Sequence, residues 1–211
     1  MSCCDTKIRI LDCAEQMFAN HGYTNTSMRS LAQQAGVNLA SANYHFGTKD
    51  NLLRAVIERR IIPLNKIRQK RIDEVMVRAQ QENTLPETAD LIKAFFEPTL
   101  EFRNSCTGAK AFIGLVSRSI SEPDKTVRSC FLEFVKPSVN HKFEMLRLAL
   151  PHIPAEILKA RLMLSVGTMS YALSMNISEQ LTAQDMSATG TNQLLLQQLH
   201  TYVLAGLEAP I

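Results

Sequence analysis

Tryptophan is absent from this chain of 211 residues, and glycine and proline occur only eight times each. Aromatic residues make up 6% of the sequence and charged residues 20%, while hydrophobic residues make up 45%. That balance argues against an intrinsically disordered chain. Sustained alternation of apolar and polar residues is also missing, and long runs are rich in Leu, Ala, Gln, Glu, Arg and Met. The composition therefore predicts an all-α protein.

No run reaches the roughly 18 apolar residues of a membrane span, and the N-terminus lacks the apolar stretch of a signal peptide. We therefore expect a cytoplasmic protein. The five histidines show neither HxxxH nor HExxH spacing and the five cysteines no CxxC spacing, so neither a metal site nor a cofactor is expected. Free thiols are the simplest interpretation of the cysteines, with a redox role for Cys3 and Cys4 as the alternative.

Positive charge is concentrated in the first third of the chain. Residues 1–71 hold 11 Lys and Arg against 5 Asp and Glu, whereas residues 72–211 hold 12 against 15. A basic N-terminal region on a mildly acidic remainder favours a polyanion such as nucleic acid as its partner. Chance clustering is the alternative, since seven of the basic residues fall between Arg54 and Arg71.

The first forty residues predict two short helices joined by a tight turn. An apolar face over residues 7–20 predicts the first helix, which Gly22 ends in the left-handed conformation. Thr26 is the predicted N-cap of the second helix, whose small inward-facing alanines allow the two helices to cross closely. Gly36 ends this second helix. The pattern is that of a helix-turn-helix.

A third, very short helix is predicted over residues 39–45, LASANYH, with Asn38 as its N-cap. Its outward side is polar, and an unpaired polar group costs about 1–3 kcal/mol when buried, which speaks against a core helix. A catalytic cluster would need a concave wall that so short a helix does not provide. A convex polar helix suits the DNA major groove. Thr48 then caps a fourth helix, whose free N–H groups together with Lys49 predict a phosphate site.

The fourth helix is predicted to extend from Thr48 to about Asn83, with Pro63 ending or kinking it. Four or five more helices follow, and no repeat or second domain boundary is recognisable. The prediction is an all-α protein of about nine helices, with a three-helix head over residues 1–50 and a helical body over 51–211. The later helices are predicted at about 109–121, 124–150, 154–176 and 191–207.

The run ILDCAEQMFANHGYTNTSMRSLAQQAGVNLASANYHFGTKDNLL resembles the DNA-binding head of the TetR-type transcriptional regulators. The resemblance covers about residues 8–57 without a gap. Within that family, this run is similar to the fatty-acid-responsive subgroup. Asn38, Ala40 and Asn43 stand where Ser, Gly and Tyr are the commonest residues. We therefore expect an operator different from that of the better-known members.

The resemblance implies which residues of the head contact DNA. Positions that face base edges in relatives are occupied here by residues of the third helix and its cap, with Arg29 of the second helix also within reach of the groove. Positions that contact phosphate are occupied by Ser27, Tyr44, His45 and Lys49. The base-facing positions are Asn38, Leu39, Ala40, Ser41 and Asn43.

The body is rich in Phe and Met, which suit an irregular apolar ligand, although ordinary core packing explains any one of these residues as well. The resemblance implies a small effector there, and a fatty acid or acyl-CoA is the hypothesis. Arg118 is a candidate partner for an acid group, with an ion pair to Glu122 as the alternative. The candidate ligand-binding residues are Phe95, Phe102, Phe112, Arg118, Phe131, Phe134 and Met169.

The last two helices are amphipathic and carry small residues that permit close approach. They suit a four-helix homodimer interface, which the family also uses. A two-fold dimer places two reading helices about one DNA turn apart and predicts a pseudo-palindromic operator. The predicted dimerisation residues are Leu158, Leu162, Ser165, Met169, Leu173, Leu195 and Leu199.

The leading hypothesis is a ligand-responsive homodimeric DNA-binding regulator, a repressor rather than an activator, released by a hydrophobic effector. It is expected not to be an enzyme, since no paired carboxylates, Ser-His-Asp set or metal-ligand spacing can be placed. Two alternatives remain at this point: a helical enzyme or carrier that uses the Phe/Met cavity, and a protein-interaction adaptor.

Overall fold

The computed structural model describes the backbone of residues 3–103, 105, 108–121, 125–174 and 188–211. Within these, the side chains of residues 3–4, 117–121, 173–174, 188–193 and 195–196 lie outside the description. Nine helices and no strand occupy the described residues, which confirms the predicted all-α class. The helices are α1 (Cys3–His21), α2 (Met28–Gln34), α3 (Leu39–Phe46), α4 (Lys49–Glu82), α5 (Thr88–Arg103), α6 (Ala109–Ser121), α7 (Lys125–Ala149), α8 (Ala155–Ser174) and α9 (Ala188–Glu208).

Local capping decides where the N-terminal helices begin. Ser27, not the predicted Thr26, caps α2, because its side chain accepts from Ser30 N at 3.0 Å while Ser30 Oγ accepts from Ser27 N at 3.1 Å. The buried Thr26 hydroxyl donates instead to the Gly22 carbonyl at 2.8 Å. The predicted cap of α4 is present, since Thr48 Oγ1 accepts from Asn51 N at 3.1 Å.

Pro63 lies inside α4 and does not end it. A proline in a helix removes one backbone hydrogen bond and crowds the preceding turn. Ile61 and Leu64, on either side of the proline, are 3% and 4% exposed. Burial of these flanking side chains offsets the local cost of the proline, so the helix continues through it.

The described residues form two compact units. Unit 1 comprises Met1–Asn65 and Phe102–Lys136, and unit 2 comprises Lys66–Glu101 and Pro137–Ile211. The predicted boundary after residue 50 does not coincide with this division. The reason is that α6, which that boundary assigns to the body, packs against α1.

Unit 1 has a core of large apolar side chains and one buried carboxylate. Phe18 and Leu31 are fully buried there. Glu15 on α1 is 1% exposed and accepts hydrogen bonds from Arg59 at 2.5 Å and from Arg60 at 2.8 and 2.9 Å. Two arginines of α4 therefore neutralise the one buried acid of α1.

Unit 2 is built on the pairing of α8 and α9. Leu158 of α8 and Leu207 of α9 are both fully buried. Arg161 closes the end of α9 by donating to the carbonyl oxygens of Leu207 at 3.0 Å and Ala209 at 2.6 Å. A cation at the carbonyl end of a helix satisfies acceptors that have no partner within the helix.

No described helix is long and apolar enough to cross a membrane. The part of the chain described also holds no group of three His, Cys, Asp or Glu side chains placed to bind a metal ion. Cys13 and Cys130 are free thiols, and burial raises the pKa of both. The side chains of Cys3 and Cys4 lie outside the description, so the redox alternative is not tested.

Candidate DNA-binding surface

Helix α3 has one buried face, which anchors it to the rest of unit 1. Ala42 is fully buried and Phe46 is 7% exposed, and α3 packs against both α1 and α2. Leu31 and Ala32 supply the buried side of α2. The short helix is therefore fixed by apolar contacts through one side only, which leaves its other side to solvent.

The outward face of α3 carries the polar residues that the sequence singles out. Tyr44 is 83% exposed and Leu39 is 40% exposed. Ala40 and Asn43 are exposed and Ser41 is half-buried. The Asn43 side chain makes no hydrogen bond to any described residue. An internal polar network is thus excluded for these side chains, and the face is one that can contact another molecule.

Asn38 and Asn43 differ in what they can offer to a base. The Asn38 Oδ1 accepts from Ser41 N at 2.6 Å, which makes Asn38 the predicted N-cap of α3. Bidentate pairing with adenine needs both the oxygen and the amino group of the amide. Because the cap uses the Asn38 oxygen, Asn43 is the asparagine of this face that retains both groups.

Lys49 lies at the start of α4 and is held by the turn between α1 and α2. Its ammonium donates to the Tyr23 carbonyl at 3.1 Å and to the Thr26 carbonyl at 3.0 Å, and it lies 4.1 Å from the centre of the Tyr23 ring. Two of the three ammonium N–H groups are therefore used within the protein. The structure assigns Lys49 a positioning role, and its predicted phosphate contact stays a prediction.

Two further contacts hold the same elements together. The Tyr23 hydroxyl donates to Asp50 Oδ1, which ties α4 to the α1–α2 turn. Arg9 of α1 donates to the carbonyls of Ala35 and Gly36 at the end of α2. Gly36 has φ +63°, and a Cβ there would lie 2.9 Å from Arg9 Nη2. The left-handed backbone therefore favours glycine at this position, and a larger residue would also displace the end of the Arg9 side chain.

The remaining predicted DNA contacts lie around this face. Ser27 is exposed, although its hydroxyl takes part in the α2 capping box. Arg29 is exposed and forms no ion pair with a described residue. His45 is half-buried, and its ring packs edge-on against Tyr44 with 5.4 Å between centroids.

The basic run from Arg54 to Arg71 is largely neutralised within the protein. Arg54 forms two hydrogen bonds with Glu133, at 2.6 and 2.7 Å, and these lower the pKa of Glu133. Arg71 pairs with Glu101 at 2.7 Å, and Arg68 is 5% exposed. These arginines are therefore engaged within the protein more than they form a surface for a polyanion. The excess of basic residues is weaker evidence for a nucleic-acid partner as a result.

The predicted ligand-binding residues belong to both units. Phe95 and Met169 are buried in unit 2, whereas Phe102, Phe112, Phe131 and Phe134 belong to unit 1. Phe102 and Phe112 pack edge to face at 5.8 Å. The Arg118 side chain lies outside the described residues. The predicted ligand site stays a prediction.

Most of the predicted dimerisation residues lie inside one chain. Leu158, Leu162, Ser165, Met169 and Leu199 are all at most 7% exposed within one chain, so they are not available to a second chain. Leu173 and Leu195 lie outside the described side chains. The exposed apolar residues of these two helices are different ones, which we group under the name α8/α9 stripe: Met163, Leu164 and Tyr171 on α8, and Leu194 and Tyr202 on α9.

Sequence reasoning missed the α8/α9 stripe, and a signal for it was present. Helix α8 carries large apolar residues around its whole circumference, a pattern typical of a helix covered on both sides. The α9 pairing covers only one side, and Leu164 on the other side is 71% exposed. Gly167 has no atom within 4 Å of where a Cβ would lie, which leaves room for close approach.

A helix-turn-helix with a polar outward helix defines a DNA-binding protein of the transcriptional-regulator class. Two family models match the chain: "Bacterial regulatory proteins, tetR family" over residues 10–56, and "Tetracyclin repressor-like, C-terminal domain" over residues 93–206. The chain belongs to the TetR family of bacterial transcriptional regulators. This confirms the resemblance seen in the sequence.

Individual relatives are distant. A probable HTH-type transcriptional regulator, YttP of Bacillus subtilis, is 26% identical over 87 residues, which are 41% of this chain and 42% of that protein. FadR from Bacillus halodurans, a fatty acid degradation regulator, superposes with a TM-score of 0.66 at 16% identity, covering 96% of each chain. FadR from Bacillus subtilis in complex with stearoyl-CoA gives 0.65 at 13% identity, covering 92% of this chain and 97% of that one.

Proposed function

We propose that this TetR-family regulator binds a pseudo-palindromic operator as a homodimer, represses transcription there, and is released by a small hydrophobic effector. The observation that carries the DNA-binding part is α3 itself, since its apolar side is buried while Asn43 and Tyr44 are exposed. An outward polar helix of this kind fits the major groove.

The residues of this surface divide into two groups by chemistry. Asn43, with both amide groups available, is proposed to read an adenine, and Leu39 a thymine methyl. Arg29 and Tyr44, both exposed, are proposed to bind phosphate together with His45 and Ser27. Lys49 supports these contacts by holding the start of α4 against the α1–α2 turn.

Selection of bound fragments from random DNA tests the assignment of the surface. The wild-type protein is expected to enrich an inverted repeat, and Asn43→Ala to relax base preference at one position in each half-site. Asn140→Ala, at an exposed asparagine of α7, is the matched control and should enrich the same sequence as wild type. Identical base preferences for wild type and Asn43→Ala would remove Asn43 from base reading.

The α8/α9 stripe is the surface proposed for the homodimer. Leu164 at 71% exposure and Tyr202 at 68% are unusual for large side chains on a water-exposed surface. A charge placed in a stripe that a second chain covers is left without a partner, so Leu164→Lys is expected to shift the protein from dimer to monomer in sedimentation. Leu132→Lys changes an equally apolar exposed residue of α7 and is expected to leave the dimer intact.

The effector is proposed to bind in the helical body and to be a fatty acid or its acyl-CoA. Support comes from the fold shared with the FadR structure that holds stearoyl-CoA and from the paired rings of Phe95 and Phe96, 5.5 Å apart. Effector addition should lower operator affinity about 5–150-fold, the range of ordinary allosteric coupling. Titration of fatty acids and acyl-CoAs into the protein–operator complex, read by fluorescence anisotropy, tests this, and unchanged anisotropy with every ligand contradicts it. A reporter gene behind the operator distinguishes repression from activation.

A further inference from the structure

Two cationic side chains are buried side by side in unit 2. Lys142 of α7 is 0% exposed and Arg68 of α4 is 5% exposed. Arg68 donates to the Phe95 carbonyl at 3.2 Å and to Thr99 Oγ1 at 2.5 Å, and both of these partners are neutral. Burial lowers the pKa of Arg68 to about 10, which leaves it charged at neutral pH.

Lys142 is in a different position, because its ammonium has no hydrogen-bond partner among the described residues. The Nζ atom lies 3.9 Å from the centre of the Phe95 ring and 4.2 Å from that of Phe96. Burial, followed by the charge of Arg68, lowers the pKa of Lys142 well below the usual 10.5. Neither cause involves a carboxylate. Ring faces compensate a cation only partly, so the site carries uncompensated positive character.

Such an arrangement is costly if it serves only to fill the core. A methionine has almost the length of a lysine and fills apolar space without burying a charge. Removing charges from a buried site in favour of apolar side chains often stabilises a protein. An anion that accepts a hydrogen bond from Lys142 Nζ and lies near a second cation completes this site chemically. Apolar groups of the same ligand then contact the phenyl rings.

We propose that Lys142 and Arg68 form the seat of a carboxylate, and that the ligand is an apolar monocarboxylic acid whose hydrocarbon part packs against Phe95 and Phe96. The carboxylate accepts a hydrogen bond from Lys142 Nζ, and Arg68 stabilises the negative charge from α4. The proposed site deepens the proposed function, because it selects the free acid over the acyl-CoA. The role of this acid as effector rests on the proposed function. An acyl thioester is uncharged at the acyl end and leaves the lysine without an anionic partner.

Calorimetric titration of the full chain with matched ligands tests the proposal. The probes are octanoate, dodecanoate and hexadecanoate, each compared with the alcohol and the coenzyme A thioester of the same chain length. At least one carboxylate is expected to bind about tenfold or more tightly than its alcohol and its thioester. Equal affinity for acid and alcohol, preference for the thioester, or no binding of any carboxylate overturns the proposal without need of a variant.

Two lysine variants sharpen the test. Lys142→Met is expected to reduce carboxylate affinity about tenfold or more and to leave alcohol binding unchanged. Lys136→Met removes an exposed lysine of the same helix and is expected to bind carboxylate like wild type. Circular dichroism establishes whether Lys142→Met is folded. If the folded variant binds carboxylate as tightly as wild type does, the proposed site is wrong.

Operator binding separates this inference from the function on which it rests. If wild type binds operator DNA and Lys142 binds no carboxylate, the carboxylate seat is wrong and the regulator stands. If the protein selects no DNA sequence while the carboxylate binds at Lys142, the seat is supported and the proposed function is wrong.

Discussion

Both units bury charged side chains, yet they balance them in opposite ways. In unit 1, Glu15 lies between Arg59 and Arg60, so the buried acid meets two bases at hydrogen-bond distance. In unit 2, Arg68 and Lys142 share a buried region, and no acid contributes to the lowered pKa of either. The buried acid of unit 1 is therefore matched by two cations, although Arg59 Nε has no hydrogen-bond partner among the described residues, whereas Lys142 of unit 2 lacks a partner that a ligand can supply.

The same contrast holds for two lysines. Lys49 in unit 1 donates to two carbonyl oxygens and lies over one ring, while Lys142 in unit 2 lies over two rings and donates to no described atom. A satisfied ammonium stabilises the folded state, and an unsatisfied one costs free energy. Five measurements test this difference between the two units.

The largest effect is expected from Glu15→Gln. Without the carboxylate, two arginines of α4 lose their shared partner, and breaking a buried pair on one side costs about 3–5 kcal/mol in the free energy of unfolding. Urea denaturation measures it. Asp12→Asn is the control, because Asp12 pairs with Arg59 from a 60% exposed position and should change stability by less than about 1 kcal/mol. Equal effects of the two variants would mean that Glu15 is not the centre of the unit 1 network.

The second effect has the opposite sign. Lys142→Met removes an uncompensated buried ammonium, so the unliganded variant is expected to be more stable than wild type by about 2 kcal/mol at neutral pH. Chemical denaturation without added ligand measures the difference. A loss of stability would show that the lysine is satisfied in the free protein.

The same pair of proteins predicts a pH dependence. Because the folded-state pKa of Lys142 lies below the usual 10.5, the unfolded chain binds more protons between these two values. In that window the free energy of unfolding of wild type should therefore rise with pH because of Lys142. Below the folded-state pKa, Lys142 should add no pH dependence. Arg68 is the charged neighbour that lowers the Lys142 pKa besides burial, and it stays protonated over most of that range. Lys142→Met should lack this contribution.

A smaller effect tests the tight packing around Glu15. A Cβ on Gly108 would lie 2.6 Å from Glu15 Oε2 and closer still to Arg60 Nη2, so Gly108→Ala should displace the pair and cost about 1–2 kcal/mol. Gly114→Ala in α6 meets nothing within 4 Å and should stabilise slightly, since alanine favours helix more than glycine does. Thermal melting of both variants measures the difference. An unchanged melting temperature for Gly108→Ala would mean that the Glu15 network accommodates the added methyl group.

The smallest effect concerns Lys49. Lys49→Met loses two hydrogen bonds to carbonyls on the α1–α2 turn and should cost about 1 kcal/mol of stability, the reverse of Lys142→Met. The salt dependence of operator binding then separates positioning from phosphate contact. A logarithmic slope reduced by about one relative to wild type indicates a phosphate contact, whereas weaker binding with an unchanged slope indicates positioning alone.

Most helices and the DNA-binding fold could be predicted from the sequence because their signals are local. The cap of α3 at Asn38 and the left-handed glycines at 22 and 36 depend on neighbours a few residues away. Pro63 does not end α4, and the propensity at one position says nothing of the burial of Ile61 and Leu64 on its two sides. Thr26 lost the capping role because its hydroxyl bonds to Gly22 instead.

The candidate sites were predicted less evenly. The exposed face of α3 followed from its polar outward residues, but the proposed dimer surface did not, because α8 is apolar on both sides and only its pairing with α9 decides which side is free. The basic run misled because the acids that neutralise it come from elsewhere in the chain, as Glu133 does for Arg54 from 79 positions away. The sequence held no signal for Lys142, since the neighbouring residues do not indicate that this lysine is buried.

Helical class, helix limits and the helix-turn-helix were thus determined by the sequence, through periodicities and caps that act within one or two turns. Tertiary structure decided which carbonyls hold Lys49, which arginines meet Glu15, and that Lys142 meets only rings. The physical reason is that the free energy of a charge depends on its partners and on water, and packing brings together partners that the chain keeps far apart.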